Sequence, residues 1–261
     1  MFDVVNQAPI ASYDDLSRFC QEVVLPSGYK AMKTNILLLD GTPTVYMPGF
    51  HGSLGTTDRN PDKAALKGID KLLSTLRNAL GPDFGICLDL NFNFNMEGCL
   101  KVSKIAEQYD LFWLEIDNFD ARSLAKVREA TSVSVCSGEN LYGARQFQPY
   151  FENYSMNVAI IDVIWNGMIE SKRIADLAEI HEMNIAPHNY YSHLSTLISA
   201  HFCATVPNLK IMEVDVDDVP WREELTTHAP EINDGTMTLP DRPGWGADIN
   251  EEVLKAHPWT K

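Results

Sequence analysis

The sequence predicts an α/β fold of the (β/α)8, TIM-like barrel type, and three observations carry that prediction. From about residue 84 onward, short apolar runs alternate with amphipathic stretches. Three successive runs end in an acidic residue: Ile86-Cys87-Leu88-Asp89, Leu111-Phe112-Trp113-Leu114-Glu115, and Val133-Ser134-Val135-Cys136-Ser137-Gly138-Glu139. The intervals of 26 residues from Asp89 to Glu115 and 24 from Glu115 to Glu139 each hold one helix-like stretch. Strand then helix, repeated, implies parallel strands joined by right-handed crossovers. In a barrel built this way, functional residues collect at the C-terminal ends of the strands. A doubly wound sheet is the alternative; it fits less well, because chemically capable residues end nearly every run instead of gathering at one switch point.

The elements follow in order. A helix is expected over 13–24 and a strand over 31–38. Residues 40–60, rich in Gly, Pro and Thr, have the length of a functional loop over the mouth of the barrel. Residues 62–80 read as a helix, with Pro61 placed to start it. Strands are then expected at 85–89, 112–115, 133–137, 158–162, 184–186 and 209–213, and helices near 96–109, 121–130, 144–152, 169–181 and 195–205. In 169–181, Ile174, Leu177, Ala178 and Ile180 form one stripe against Glu170, Lys172, Arg173 and Glu179. A first barrel strand falls near residues 2–5 or is missing. The segment from about 226 to 261, with many Pro, Gly and acidic residues, is expected to wrap the outside of a single domain spanning the chain.

Composition narrows the function. The 261 residues suit one large α/β domain or two small ones. Lys and Arg number 21 against 36 Asp and Glu, a formal net charge of −15. That balance argues against nucleic acid or an anionic membrane as partner. It leaves room for an anionic small molecule, because a bound divalent cation reverses the local field. The five cysteines, 20, 87, 99, 136 and 203, include no Cys-x-x-Cys pair and lie mostly in apolar contexts, as expected of free thiols in a cytoplasmic protein. No apolar run is long enough to span a bilayer, and no secretory leader is evident.

Three carboxylates converging at one end of a sheet repel one another unless a cation sits between them. Asp89, Glu115 and Glu139 therefore read as ligands of a hard cation, and carboxylates completed by water suit octahedral Mg²⁺. Asp162 and His188 end the next two strands. A carboxylate beside an imidazole fixes its tautomer and raises its basicity, which suits a general base. Lys33 and Asn35 share one face of their strand by period-2 geometry. Burial and a nearby cation would both lower the pKa of Lys33. Lys33 is a candidate catalytic residue beside His188 and Asp162; Asn35, Asn91, two residues beyond Asp89, and Glu213, at the end of the last strand, are candidates for holding substrate. His51, in the long loop, is a candidate for closing over it.

Taken in order, Asp89-Leu90-Asn91, Trp113-Leu114-Glu115, Gly138-Glu139, Asp162 and Ala186-Pro187-His188 resemble the enolase superfamily. The likeness is to its mandelate racemase and muconate lactonizing enzyme branch, above all the acid-sugar dehydratases of galactonate type. It runs from about residue 28 to the C-terminus, where Pro243-Gly244-Trp245-Gly246-Ala247-Asp248-Ile249 is similar to the family's closing segment. The resemblance implies a (β/α)7β barrel that binds Mg²⁺ through Asp89, Glu115 and Glu139. It implies removal of the proton α to a carboxylate, with His188 on Asp162 as one acid/base. The second base in much of the family is the last lysine of a Lys-x-Lys motif; here the stretch is Lys33-Thr34-Asn35, and an amide is no base near neutral pH. A one-base β-elimination, dehydrating an acid sugar to a 2-keto-3-deoxy acid, therefore fits better than racemisation, epimerisation or cycloisomerisation, and an inactive or truncated barrel is the remaining alternative. Glu115 precedes Ile116-Asp117 where the family usually has Glu-Pro. The loop after Asp162 is about one residue short, which is expected to displace Asp162 from His188. The family's N-terminal α+β cap is expected to be missing, since the chain starts close to the first barrel strand. The family's symmetric assemblies leave self-association open.

Overall fold

A computed structural model describes residues 10–50, 59–216 and 219–258. Its centre is a six-stranded parallel sheet of β1 (Ala31–Thr34), β4 (Gly85–Asp89), β5 (Trp113–Glu115), β6 (Val135–Ser137), β7 (Val158–Asp162) and β8 (Asn184–His188), paired in that order. Two short strands, β2 (Leu37–Leu38) and β3 (Thr44–Val45), form an antiparallel pair of their own. Helices follow the strands as the spacing predicts: α3 (Met96–Ala106), α4 (Ala121–Glu129), α5 (Gly143–Glu152), α6 (Val163–Ile180) and α7 (His193–Cys203). Ahead of them stand α1 (Tyr13–Phe19), which runs on as a π-turn over Cys20–Val24, and α2 (Lys63–Leu80). The tail carries a hairpin, β9 (Glu231–Asn233) with β10 (Thr236–Thr238), and the short α8 (Glu251–Ala256).

The periodicity of the strands sorts their side chains into two layers. Ile86, Leu88, Leu114, Val135, Ala159, Ile161 and Ile185 face outward into the main core, which they share with helix residues such as Ile69, Leu72, Leu73 and Leu76 of α2. Cys87, Trp113, Cys136, Val158, Ile160 and Ala186 face inward and form a second, smaller cluster. Two residues beyond Cys87, Trp113, Ile160 and Ala186 lie Asp89, Glu115, Asp162 and His188. The barrel interior is thus an apolar plug capped at its C-terminal end by polar side chains, and that end is the site.

Several expected boundaries shift. The strand expected over 31–38 breaks at Asn35: Ala31–Thr34 pairs with β4, and the chain then turns so that Leu37–Leu38 pairs with β3. The strand expected at 209–213 makes one bridge, Leu209 to Ile185, with further backbone bonds from Lys210 to Ile185 and from Glu213 to Pro187. It runs beside β8 without forming a regular ladder. Helix α6 starts six residues early because Asp162 caps it, and Gly167 (φ +72°) breaks it one turn in. Pro61 precedes the cap of α2; the capping side chain is Asp62, which accepts from the Ala65 N–H. The expected strand near 2–5 and His51 lie outside the described residues.

Candidate active site at the C-terminal end of the barrel

Asp89 and Glu115 are register partners on adjacent strands, so their carboxylates emerge side by side. Glu139 joins them from two residues beyond β6, through Gly138. That glycine has φ +121°, and a Cβ on it would lie 2.7 Å from the Phe147 ring and 2.9 Å from the Ile160 carbonyl. No side chain fits there, so the turn that aims Glu139 inward requires glycine. One oxygen from each of the three carboxylates lies within 4.8 Å of the others. Glu115 is fully buried, and neither of its oxygens receives a hydrogen bond. A buried carboxylate left without a donor is costly. Burial, with repulsion from Asp89, Glu139 and Glu213, outweighs the nearby Lys33 ammonium and raises the Glu115 pKa well above the usual range. Glu139 rises to about 8 through burial and repulsion from Asp117 and Asp89. These all-oxygen, under-satisfied donors fit a hard divalent cation such as Mg²⁺.

On one side of the trio stands the imidazole. Asp162 and His188 are register partners on β7 and β8, and Asp162 Oδ2 lies 2.7 Å from His188 Nδ1. The short loop after Asp162 therefore does not displace it, contrary to the expectation from sequence; the loop's Trp165 N–H folds back onto Asp162 Oδ1 as a helix cap instead. His188 Nε2 faces Glu139 Oε2 at 3.4 Å. Burial would raise the Asp162 pKa, but donors from His188, Tyr191 and Trp165 outweigh it and hold the carboxyl below its usual value. For His188, burial disfavours the imidazolium, and the Asp162 bond with the charges of Glu213 and Glu139 outweighs it, so its pKa is raised.

On the other side stands Lys33, with Nζ 2.7 Å from Glu213, 3.3 Å from Glu115 and 3.6 Å from Asp89. Burial alone would lower its pKa, as expected from sequence. The four acids around it, Glu115, Glu213, Asp89 and Glu139, reverse the sign and hold the ammonium well above the ordinary lysine range. Glu213 is engaged at both oxygens, by Lys33 and by the Asn189 N–H at 2.8 Å. Asn35 and Asn91 meet directly, Nδ2 donating to Oδ1 at 2.9 Å. Asn91 sits at φ +46°, and its N–H donates to Asp89 Oδ1. Asp89, Glu115, Glu139, Asp162, His188, Lys33, Asn35, Asn91 and Glu213 thus converge, while His51 is outside the described residues.

Sequence reasoning gives no role to Asp117 and Tyr191. Asp117 is buried two residues past Glu115 and rises to about 7 through burial and repulsion from Glu115 and Asp89. Its period-2 relation to Glu115 is a usable signal. Tyr191 donates to Asp162 Oδ2 at 2.6 Å, and nothing in the local pattern marks it.

The model of the enolase C-terminal domain-like family matches residues 15–253. The chain belongs to that family, within the enolase superfamily. Among curated relatives of this enolase-type barrel, a D-xylonate dehydratase of Haloferax volcanii is 27% identical over 192 residues, 72% of this chain and 46% of the relative. A D-gluconate dehydratase of Thermoproteus tenax is 25% identical over 201 residues, 74% of this chain and 39% of the relative. The chain spans about half the length of the curated relatives it matches. A solved Burkholderia xenovorans protein, provisionally named an L-alanine-DL-glutamate epimerase and bound to magnesium and fumarate, is 43% identical with a TM-score of 0.92. That match covers 97% of this chain and 63% of the other. Among the described residues, no helix is long and apolar enough to cross a membrane.

Proposed function

We propose that this barrel removes the proton α to a carboxylate in a Mg²⁺-dependent reaction, and that the reaction is dehydration of an acid sugar to a 2-keto-3-deoxy acid. The observation that carries the reading is the arrangement of His188 on Asp162 at one side of the carboxylate trio, with Lys33 at the other and an amide, Asn35, where a second base would stand. Asp89, Glu115 and Glu139 would hold the cation. A divalent cation bound there supplies positive charge where negative charge develops on the acid's carboxylate. Lys33, paired with Glu213, offers N–H donors to the same carboxylate. His188 Nε2 takes the C2 proton and returns it to the departing C3 hydroxyl as water leaves. The resulting enol becomes the 2-keto acid by losing the proton on its C2 oxygen and taking up one at C3.

The dehydratases among the relatives support this reading. The epimerase name of the Burkholderia protein supports a second, inversion at the α-carbon. Inversion with two bases needs a proton acceptor on each face of that carbon, and Asn35 offers none.

The test is incubation of purified protein with Mg²⁺ and a panel of acid sugars, with 2-keto acid read as its semicarbazone. Keto acid release that disappears in His188→Asn is the expected result. C2 exchange with deuterated solvent but no keto acid moves the assignment to epimerisation. Neither product nor exchange, with any acid in the panel, overturns the reading.

A further inference from the structure

Resting on the reading of His188 as the acid/base, we infer that Tyr191 is a positioning residue that braces the His188–Asp162 pair. Its hydroxyl donates to the same Asp162 oxygen that holds the imidazole, and its ring stands edge-on to that imidazole.

Asp162 is fully buried, and both of its carboxylate oxygens have partners. Oδ1 accepts from the Trp165 N–H at 2.7 Å. Oδ2 lies 2.7 Å from His188 Nδ1 and accepts from the Tyr191 hydroxyl at 2.6 Å. A buried carboxylate with one donor would be poorly compensated, whereas three charge-assisted bonds hold it ionised and fix its torsion. Rotation of the carboxylate would break all three bonds together. The imidazole is bracketed as well: the Tyr191 ring lies 5.7 Å away at 89°, and the Trp165 ring 6.3 Å away at 61°. Aromatic rings favour such edge-to-face arrangements. With Nδ1 tied and aromatic rings on two sides, the imidazole presents Nε2 toward the trio. Tyr191 follows His188 by only three residues, so the end of β8 carries the imidazole and the turn just after it carries the brace.

The consequence is positional. Even a small misplacement of an acid/base slows a reaction severely. For histidines that bind metals, loss of the outer partner that orients the ring typically costs about 10–100-fold, and an acid/base histidine held the same way is expected to lose activity on a similar scale. Tyr191 also shares Oδ2 with His188. Removing its hydroxyl leaves that oxygen to the imidazole alone, so the Nδ1–H···Oδ2 bond shortens.

The test is NMR of the full chain, ¹⁵N-labelled at histidine, with Mg²⁺ present, and with the His188 ring signals assigned by their loss in His188→Asn. Tyr191→Phe keeps the ring and removes the hydroxyl, and is expected to move the His188 Nδ1–H proton downfield. Tyr109→Phe, which removes a tyrosine–aspartate bond to Asp70 elsewhere, is expected to leave it in place. Replacing tyrosine throughout with 3-fluorotyrosine, a stronger donor, is expected to move the signal upfield without a substitution that could unfold the chain. A His188 signal that superimposes on wild type in both the Phe variant and the fluorinated protein overturns the inference. If a substrate is found, Tyr191→Phe is expected to lower kcat about tenfold with KM within about twofold; an unchanged kcat overturns the positioning role. If no acid is turned over but the Phe variant still shifts the His188 signal, the function reading fails and the brace stands.

Discussion

The two walls of the barrel mouth contain similar residue types and do opposite things. At the β1 wall, Lys33 lies among Glu213, Glu115 and Asp89, and beside it two amides, Asn35 and Asn91, are bonded to each other. The acids around Lys33 raise its pKa and favour the ammonium, so under the proposed reaction this wall is placed to hold charge rather than to take a proton. At the β7–β8 wall, a single imidazole hangs on a carboxylate saturated with donors, and its other nitrogen is aimed inward. Its basicity is raised by that carboxylate, so under the proposed reaction this is the wall suited to move a proton. A base is defined here less by residue type than by its neighbours: the lysine, the stronger base in water, is disarmed by acids, while the weaker histidine is kept usable.

The largest effects should come from the trio between the walls. Glu115→Gln keeps shape and removes one buried charge, and is expected to abolish Mg²⁺ binding measured by calorimetry. Retained binding would mean the three carboxylates do not share a cation. Next, His188→Asn is expected to lower turnover of any substrate roughly 10²–10⁴-fold, the usual contribution of a positioned acid/base, with Mg²⁺ binding intact. Lys33→Met should instead act on substrate affinity, raising KM more than it lowers kcat. If the lysine variant loses all solvent exchange at C2 and the histidine variant keeps it, the assignment of the two walls is reversed.

The carboxylates of the site should also respond to pH with opposite signs. Glu139 has its pKa raised from the ordinary 4.5 to about 8 in the fold. Between those values the folded chain holds a proton that the unfolded chain has released, so metal-free stability falls as pH rises across that window. Bound Mg²⁺ requires the ionised carboxylate, so binding should strengthen and release protons as pH rises through about 7 to 8. Asp162 is the reverse: its pKa is lowered below 3.8, so its contribution is present above that value and is lost as pH falls through the folded pKa. Melting temperatures from about pH 3 to 8.5, with and without Mg²⁺, check both. A Mg²⁺-dependent gain in melting temperature that does not grow with pH would contradict the Glu139 assignment.

The difference in legibility follows the same division. The β4–β8 half is readable because each strand is short, buried on both faces and followed closely by a polar residue, so apolar runs and their last residues reveal both fold and site. Asp89, Glu115, Asp162 and His188 come from that regularity. Outside it, tertiary partners decide. Residues 209–213 look like a strand but meet β8 through scattered bonds. The run 31–38 breaks at Asn35, where the chain reaches the end of β4 and Asn35 turns to Asn91. The direction of the Lys33 shift is opposite to the one its sequence suggests, because four acids from four different parts of the chain set its sign. Tyr191 is invisible in the sequence because a hydroxyl meeting a carboxylate 29 residues away leaves no local pattern.

The smallest effect, and the finest test of the comparison, belongs to the amide pair. Asn35→Ala removes the donor to Asn91 and leaves the Asn91 side-chain oxygen in the half-buried mouth, where water can reach it. A neutral hydrogen bond of this kind contributes about 1 kcal/mol net, which for a chain of this size corresponds to roughly 2–4 °C in melting temperature. Asn91 keeps its left-handed backbone, which asparagine tolerates. Its N–H bond to Asp89 does not depend on the side chain of Asn35. Mg²⁺ affinity should therefore change little, and C2 exchange, carried by the opposite wall, should persist. A loss of exchange comparable to that of His188→Asn would mean that the β1 wall takes part in proton transfer after all, and the division between a wall that holds charge and a wall that moves protons would have to be abandoned.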